Sequence, residues 1–429
     1  MSIHHAFAYA APISTAGQLD SSFASSGKAW VQFAGSLSSM ANDVAVDSMG
    51  RLLVAAKVGM HDGCRYGLAR LLEDGSADLS FGVQGSIIGQ FKSGFEATGG
   101  KVQELPDGKI LLCGLHYQDP QRTFPALALF NQHGQPDLNF GNQGVQVVRL
   151  PGDLSRGLRD DWLPPGIPGA EACDFCVQAD GQILLLANHH YEFADHVGIL
   201  IRLNPDGTLD DTFNGHGFVM VRHLLMNTWL SSILVQADGQ ILVAGSIDLP
   251  QKGLLARFDK TGRLDDNFAE DGFFSFKVLG RSAQVSRVIE QMDGRLQCFG
   301  SSRDPMHCLS LTVRSNGRPD THCNGGYARL TEMGSSGCLW TAAQVLADGR
   351  VLSVGATIGG VAADFILARH LPNGRLDRDF ANGQGWVRTR LGRSLDTATS
   401  LAVQADERIV VSGYSLDGHY RAVLARYLG

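Results

Sequence analysis

The segment Gly207-Thr208-Leu209-Asp210-Asp211-Thr212-Phe213-Asn214-Gly215-His216-Gly217 decides how the chain folds, because variants of it recur along the whole sequence. The shared phrase is Gly-x-Leu-Asp-x-x-Phe-x-x-x-Gly, and successive copies lie 55 to 73 residues apart. The copies contain the pairs Asp20/Phe23, Asp78/Phe81, Asp137/Phe140, Asp210/Phe213, Asp265/Phe268, Asp320/Cys323 and Asp377/Phe380. A repeat of this period indicates an array of similar units that bury their apolar faces against one another.

A second phrase, Asp-Gly followed by an apolar run, marks the middle of most units. It occurs at 107–112, 180–185, 238–243, 293–296 and 348–352. Because Asp-Gly between apolar runs favours a tight hairpin, we expect type I′ turns with positive φ at both central residues. The seventh unit has Glu407 in place of the glycine, which predicts another turn type or mild strain.

A third phrase, Leu-Ala-Arg-Leu or a close variant, ends most units, as at 68–71, 255–258 and 424–427. Each unit therefore has four predicted strands: A after the motif glycine, B before Asp-Gly, C after it, and D with the arginine. Runs such as 241–245 are apolar on both faces, which is typical of sheets covered on both sides. We predict an all-β, seven-bladed β-propeller with four antiparallel strands per blade. An open β-solenoid is the alternative, and it fits four antiparallel strands less well.

The predicted domain is a single propeller over residues 1–429, with an extension at 1–16. The predicted blades are approximately 17–75, 76–134, 135–207, 208–262, 263–317, 318–374 and 375–429. Residues 17–27 are expected to meet the end of the seventh blade, because the chain begins with a motif and ends after a D strand.

Composition excludes several classes of protein. The net charge of -7 and the lack of a Lys/Arg run argue against a nucleic-acid surface. No apolar stretch approaches the length of a membrane span. The first residues lack the basic start of a signal peptide, which predicts a cytoplasmic protein or one exported without a cleaved signal. The eight cysteines are too scattered for a disulfide scaffold, although Cys298 and Cys308 could be cross-strand neighbours, more readily as thiols than as a disulfide.

The phrases together resemble the bacterial delta-60 repeat, whose units read Phe-x-Leu-Ala-Arg-Leu-x-x-Asp-Gly-x-Leu-Asp-x-x-Phe-Gly-x-x-Gly with a Gln-x-Asp-Gly-Lys-Ile-Leu core. The resemblance covers essentially residues 17–429. It implies a propeller-like β fold and often a surface or extracellular setting. No general activity is attached to the repeat, so it implies no catalytic residues.

The repeated residues themselves are interpreted as structural. Each motif aspartate is expected to accept backbone N–H bonds in its loop, with or without the strand-D arginine. The motif phenylalanine is expected to wedge between blades, so Cys323 should leave its unit less well packed. The Cys173-x-x-Cys176 pair has no partner pair elsewhere, which disfavours a zinc or redox site.

The candidate binding site lies on the face formed by the A–B and C–D loops, which vary while the other face repeats. Loops on a rigid scaffold often bind ligands, and aromatic and polar side chains suit a sugar, a small polar ligand or a protein. The third unit is the best single candidate, because its A–B loop at 151–171 is unusually long. The candidate ligand-binding residues are Trp162, His189, His190, Tyr191, Glu192, His196, His116, Tyr117, Trp229 and Trp340.

Two functional hypotheses follow from these residues. The first is a non-enzymatic scaffold that binds a small polar ligand, glycan or protein on the variable face. The second is a hydrolase or lyase with histidine and carboxylate groups at the propeller mouth, although no nucleophile motif or cofactor fingerprint supports it. No cofactor and no catalytic residue is predicted. His189, Glu192 and His196 could meet a metal ion, but their spacing is not specific for one.

Overall fold

Seven four-stranded antiparallel sheets contain all the strands of the described residues. The computed structural model describes residues 15–118, 123–149, 174–192, 195–223, 226–248, 251–303, 305–334, 337–359 and 362–429. The apolar runs on both sides of each Asp-Gly turn form the two central strands of a sheet. Their side chains are buried on both faces, as in β15, whose seven residues 241–247 are all buried.

The blades are composed as follows. Blade 1 contains β2 (Ser38–Val46), β3 (Leu52–Met60), β4 (Gly63–Leu71) and β5 (Ser86–Gly89). Blade 2 contains β6 (Glu96–Glu104), β7 (Ile110–Tyr117), β8 (Thr123–Phe130) and β9 (Val145–Val147). Blade 3 contains β10 (Asp174–Val177), β11 (Ile183–Glu192), β12 (Asp195–Leu203) and β13 (Phe218–Val221). Blade 4 contains β14 (Thr228–Val235), β15 (Ile241–Ile247), β16 (Lys252–Phe258) and β17 (Phe273–Phe276).

The remaining blades follow the same order from the axis outward. Blade 5 contains β18 (Ala283–Glu290), β19 (Leu296–Ser302), β20 (His307–Val313) and β21 (Arg329–Thr331). Blade 6 contains β22 (Gly337–Val345), β23 (Val351–Ile358), β24 (Phe365–His370) and β25 (Trp386–Thr389). Blade 7 contains β26 (Leu395–Val403), β27 (Ile409–Asp417), β28 (His419–Tyr427) and the N-terminal strand β1 (Lys28–Trp30).

The first strands of successive blades contact one another around a central axis, and β26 of the last blade contacts β2 of the first. The ring is therefore closed. This confirms the predicted seven-bladed β-propeller with four antiparallel strands per blade and rules out the open solenoid. The turns after the inner strands and the motif loops share one face, here called the uniform face. The opposite face, formed by the other two sets of loops, is called the variable face.

The predicted blade boundaries are wrong by one strand. The strand after each motif pairs with the strand that precedes the motif, so it is the outer strand of the preceding blade. Consequently β1 pairs with β28 and completes blade 7, with Trp30 opposite Val423. The expected meeting of residues 17–27 with the end of the chain is confirmed, since the Gly17 N–H donates to the Leu428 carbonyl at 2.8 Å. The expected extension at 1–16 lies outside the described residues up to position 14.

The Asp-Gly turns are not type I′, contrary to expectation. In the turn of blade 2, Gly108 has a φ of 79°, but Asp107 is not among the residues with positive φ. The Gly108 N–H donates to the Leu105 carbonyl at 2.9 Å, as in a turn that ends on one left-handed residue. Glu407 occupies the equivalent position with a φ of 67°, so the mild strain predicted for the last turn is confirmed.

An arginine, an aspartate and a phenylalanine join neighbouring blades on the uniform face. In blade 3, Arg202 Nε lies 2.6 Å from Asp210 Oδ2, and the guanidinium stacks on Phe213 at 4.5 Å. Its Nη1 donates to the Lys260 carbonyl of blade 4 at 2.6 Å. The same cluster is formed by Arg70/Asp78/Phe81, Arg257/Asp265/Phe268, Arg369/Asp377/Phe380 and Arg426/Asp20/Phe23. These five phenylalanines thus act as the predicted wedge, and each lies against a guanidinium that pairs with the motif aspartate.

The wedge needs a glycine on the neighbouring blade. Phe213 is fully buried, and a Cβ atom added to Gly262 of blade 4 would come within 2.8 Å of its ring. Phe380 makes the same contact with Gly17 and so helps to close the ring. At Cys323 no ring is present, and the nearest atom to a Cβ added at the equivalent Gly374 is 3.9 Å away. The predicted looser packing at Cys323 is therefore confirmed.

Two units lack the arginine and use another cation. In blade 2, Leu129 replaces it, and Lys109 Nζ from the inner turn lies 3.1 Å from Asp137 Oδ2. In blade 5, Arg295 from the corresponding turn lies 3.5 Å from Asp320 Oδ2. Positive charge reaches the motif aspartate in both cases. The aspartate is therefore interpreted as part of the blade-joining scaffold.

Cys298 and Cys308 are not opposite each other. Cys298 pairs with Leu311 and Cys308 with Ser301 in the two-stranded ladder of β19 and β20. Both are free thiols, and the Cys308 backbone N–H donates to Cys338 Sγ of blade 6 at 3.3 Å. In the part of the chain that the structure describes, no helix is long and apolar enough to cross a membrane.

Replacing Phe81 with alanine should lower the free energy of unfolding by about 3 kcal/mol, because it removes a buried ring that fills the seam between two blades. The matched control is Leu79→Ala in the same loop, where the side chain is 74% exposed and the change should stay within about 0.5 kcal/mol. Urea denaturation followed by tryptophan fluorescence would measure both. Equal effects of the two substitutions would contradict the wedge.

Candidate functional site

The variable face does not hold all the residues predicted for it. Trp340 was expected in a loop but lies in β22, where it is 1% exposed and packs edge-on against His370. His116 lies in β7 and is fully buried, with its ring 5.2 Å from that of Phe95. Burial lowers the pKa of His116. Both residues belong to the core, because the strands extend further toward the variable face than the apolar runs indicate.

The candidate residues of blade 3 are only partly described. His189 lies half-buried in β11, opposite Val197. The backbone of β11 also includes His190, Tyr191 and Glu192, but their side chains lie outside the described part of the structure. Trp162 and the whole predicted loop 151–171 lie outside it as well. Among the described residues, no group of three or more His, Cys, Asp or Glu side chains is placed to hold a metal ion.

The structure does bring two predicted residues together at the seam between blades 3 and 4. His196 in β12 and Trp229 in β14 have ring centroids 5.4 Å apart in an edge-to-face arrangement. His196 Nε2 lies 3.0 Å from Asp248 Oδ2, and Asp248 follows β15. We call His196, Trp229 and Asp248 the seam cluster. Tyr117 lies in β7 on blade 2 and contributes nothing to it.

The seam cluster rests on a rigid support. The side-chain amide of Asn188 in β11 donates to the Leu230 carbonyl at 2.8 Å and accepts from the Leu230 N–H at 2.8 Å. These reciprocal bonds fix β14 against blade 3 directly beside Trp229. Asp248 was not predicted, and the sequence signal for it was weak, since it is one acidic residue in a short loop.

A second candidate site, which sequence reasoning missed, lies on the propeller axis. A cavity of about 580 Å³ is lined by the first strands of all seven blades. In six of these strands the cavity-lining stretch begins at a β-bulge, for example at Asn42 between Ala41 and Asp43 in β2. We call the set of residues at this level the axial layer. It consists of Asp43, Lys101, Asp174, Ser232, Arg287, Ala342 and Ser400.

Charged side chains from four blades converge in the axial layer. Lys101 Nζ contacts Asp174 Oδ1, and Arg287 Nη1 lies 2.8 Å from Asp174 Oδ2. Asp174 also accepts the backbone N–H of Ile233 on blade 4 at 2.9 Å. Asp43 similarly accepts the backbone N–H of blade 2 residue Val102 at 3.0 Å. Each carboxylate therefore joins two blades as well as carrying charge.

The two axial carboxylates have opposite pKa shifts. Burial alone would raise the pKa of Asp174, but the charges of Lys101 and Arg287 outweigh it and hold the pKa below its ordinary value. Burial raises the pKa of Asp43, and the attraction of Lys101 and the hydrogen bond from Ser400 offset only part of this rise. Relative to an ordinary carboxyl group, the fold therefore stabilises the ionised form of Asp174 and disfavours the ionised form of Asp43.

Substituting the two carboxylates should have different effects. Asp174→Asn leaves Lys101 and Arg287 facing each other without a counter-ion, and should lower the free energy of unfolding at pH 7 by about 3 kcal/mol. Asp43→Asn keeps an acceptor for the Val102 N–H and removes a charge that burial disfavours, so it should cost about 1 kcal/mol or less.

Urea denaturation of both variants at several pH values checks the two pKa shifts more sharply. The stability that ionised Asp174 supplies is lost as pH falls through its depressed folded pKa. The loss in free energy of unfolding caused by Asp174→Asn should therefore become smaller in acid. Folded Asp43 binds protons more readily than the unfolded chain above pH 3.8, the ordinary pKa. The contribution of Asp43 to the free energy of unfolding of the wild type therefore falls as pH rises. The free energy of unfolding of Asp43→Asn should rise relative to that of the wild type over the same range. If the difference in free energy of unfolding from the wild type changed with pH in the same direction for both variants, the opposite pKa shifts would be contradicted.

The comparison with protein families agrees with the fold. A family model described as a domain of unknown function, DUF5122 β-propeller, matches residues 178–213 and 236–268, which lie in blades 3 and 4. No curated protein matches the chain in sequence.

Solved structures similar to this chain include proteins with different roles. A protein of unknown function from Dyadobacter fermentans is 13% identical with a TM-score of 0.49, covering 94% of this chain and 98% of that one. The polysaccharide lyase Uly1 is 11% identical with a TM-score of 0.49, covering 94% and 92%. Sqt1 of Chaetomium thermophilum, bound to the N-terminus of ribosomal protein L10, is 12% identical with a TM-score of 0.48, covering 92% and 98%.

Proposed function

We propose that the protein is a non-enzymatic binding scaffold that recognises a small polar ligand or a glycan on its variable face. The seam cluster carries this proposal. It places an indole ring, an imidazole ring and a carboxylate side by side on two strands and a short loop of neighbouring blades. A protein segment is the other partner that such a face could accept.

The chemistry of the seam cluster suits a sugar. Trp229 is half-buried, so part of its apolar surface remains accessible for the C–H face of a pyranose ring. The side chain of Asp248 is 37% exposed and can accept hydrogen bonds from hydroxyl groups. An apolar surface beside a few fixed polar groups is the usual composition of a small-ligand site.

The repeat also supports a proposal about origin. The motif copies favour membership of the bacterial delta-60 repeat proteins, beyond the two stretches that the family model matches. This membership does not change the chemistry expected of the binding face.

The hydrolase or lyase alternative draws its support from the opposite pKa shifts of Asp43 and Asp174, because such pairs can serve as acid and base. However, both carboxylates accept backbone N–H groups of a neighbouring blade, which gives them a structural role. The binding proposal is therefore preferred.

A glycan array followed by calorimetric titration of any sugar that binds would test the binding proposal. Trp229→Ala and Asp248→Asn should each weaken binding by about tenfold or more, equivalent to about 1.4 kcal/mol. The matched control is Met292→Ala, because Met292 is 82% exposed in an inner turn on the uniform face. Unchanged affinity in both seam variants would contradict the site, and the absence of any bound sugar would contradict the glycan assignment.

A further inference from the structure

The axial cavity has the size and the surface of a site for a small organic molecule. Its volume of about 580 Å³ falls within the range of about 300 to 1,000 Å³ that is usual for ligand pockets. It is separate from the seam cluster, since none of the three seam residues lines it. The inner strands run from the variable face to the uniform face, so the cavity extends from the axial layer toward the inner turns.

The hydrogen-bonding capacity of Asp174 is already used. It accepts from Lys101, Arg287, the Ile233 N–H and its neighbour's N–H at Phe175, and a carboxylate offers about four lone-pair positions. The side chain of Asp174 is 5% exposed, so it presents almost no surface to the cavity. It therefore holds the two cations in place and is not itself available to a ligand.

The two cations retain unused donors. A guanidinium has five N–H donors and an ammonium has three, whereas Arg287 and Lys101 each make one described contact with a carboxylate oxygen. Their side chains are 30% and 22% exposed, and both line the cavity. The planar fork of Arg287 matches the geometry of a carboxylate ligand.

The rest of the cavity is less polar and leaves room. Blades 6 and 7 contribute only the short side chains of Ala342 and Ser400 to the axial layer, and both residues line the cavity. Closer to the inner turns, the lining includes partly exposed apolar side chains such as Val177, Leu234 and Val235. A molecule here would meet cations at one end and aliphatic groups at the other.

We propose that the axial cavity binds a small monocarboxylate with an apolar body, whose carboxylate contacts Arg287 and Lys101. This goes beyond the glycan or polar ligand proposed for the variable face and does not depend on it. A single carboxylate suits the layer, because it can accept from the unused donors of Arg287 and Lys101. Contact between the aliphatic walls and the apolar body of the ligand removes apolar surface from water, which favours binding.

Isothermal titration with sodium benzoate, and with benzamide as its uncharged isostere, tests the proposal. The wild type should bind benzoate about tenfold or more tightly than benzamide. Arg287→Gln should abolish this preference while Asp174 keeps Lys101 as its partner. The matched control is Arg390→Gln, because Arg390 is 61% exposed on blade 6 and contacts Asp364 outside the cavity. It should bind benzoate as the wild type does.

A steric variant keeps the test decisive if Arg287→Gln folds poorly. Ala342→Leu would place a larger side chain in the cavity wall on blade 6 and should weaken benzoate binding by about tenfold without removing a charge. Circular dichroism would establish that each variant is folded. Trp229→Ala should leave benzoate binding unchanged, which separates this site from the seam cluster. Absence of benzoate binding to the wild type, equal affinity for benzamide, or unchanged binding in folded Arg287→Gln and Ala342→Leu would overturn the proposal.

Discussion

The propeller depends on an arginine that contacts two blades at once. In five of the seven units the strand-D guanidinium pairs with the motif aspartate and stacks on the motif phenylalanine. In four of these five it also donates to a backbone carbonyl of the next blade. Hydrogen bonds to Asp78 from Ser80 and Arg70 hold its pKa below the ordinary value although burial alone would raise it. The repeated motif therefore joins neighbouring blades, and it does not indicate a ligand.

The sequence predicted the architecture because most units repeat the same local signals. Apolar runs on both sides of Asp-Gly indicated covered antiparallel strands, and the motif phenylalanine was correctly interpreted as a wedge. The sequence alone could not reveal where each blade begins, because the strand after each motif could belong either to the following blade or to the preceding one. The pairing of β1 with β28 resolves this, because only the backward pairing lets the first strand close the last blade.

The candidate site was harder to predict for two physical reasons. Strand ends on the variable face are set by tertiary packing, so Trp340 and His116 were assigned to loops although they are buried. The axial layer combines one residue from each blade, and those residues differ in type, so no repeat or motif marks them. A usable signal exists in retrospect, because Asp43, Lys101, Asp174 and Arg287 each lie seven residues before the turn glycine of their blade.

The central claim is that blade-joining contacts leave two oriented cations facing an axial cavity. A crystal structure of the protein grown with 4-bromobenzoate, phased on the anomalous signal of bromine, tests it most directly. The account predicts a bromine peak among the aliphatic walls of the cavity, with the carboxylate within hydrogen-bonding distance of Arg287 and Lys101. A cavity without the ligand, or a carboxylate bound away from both cations, would contradict it.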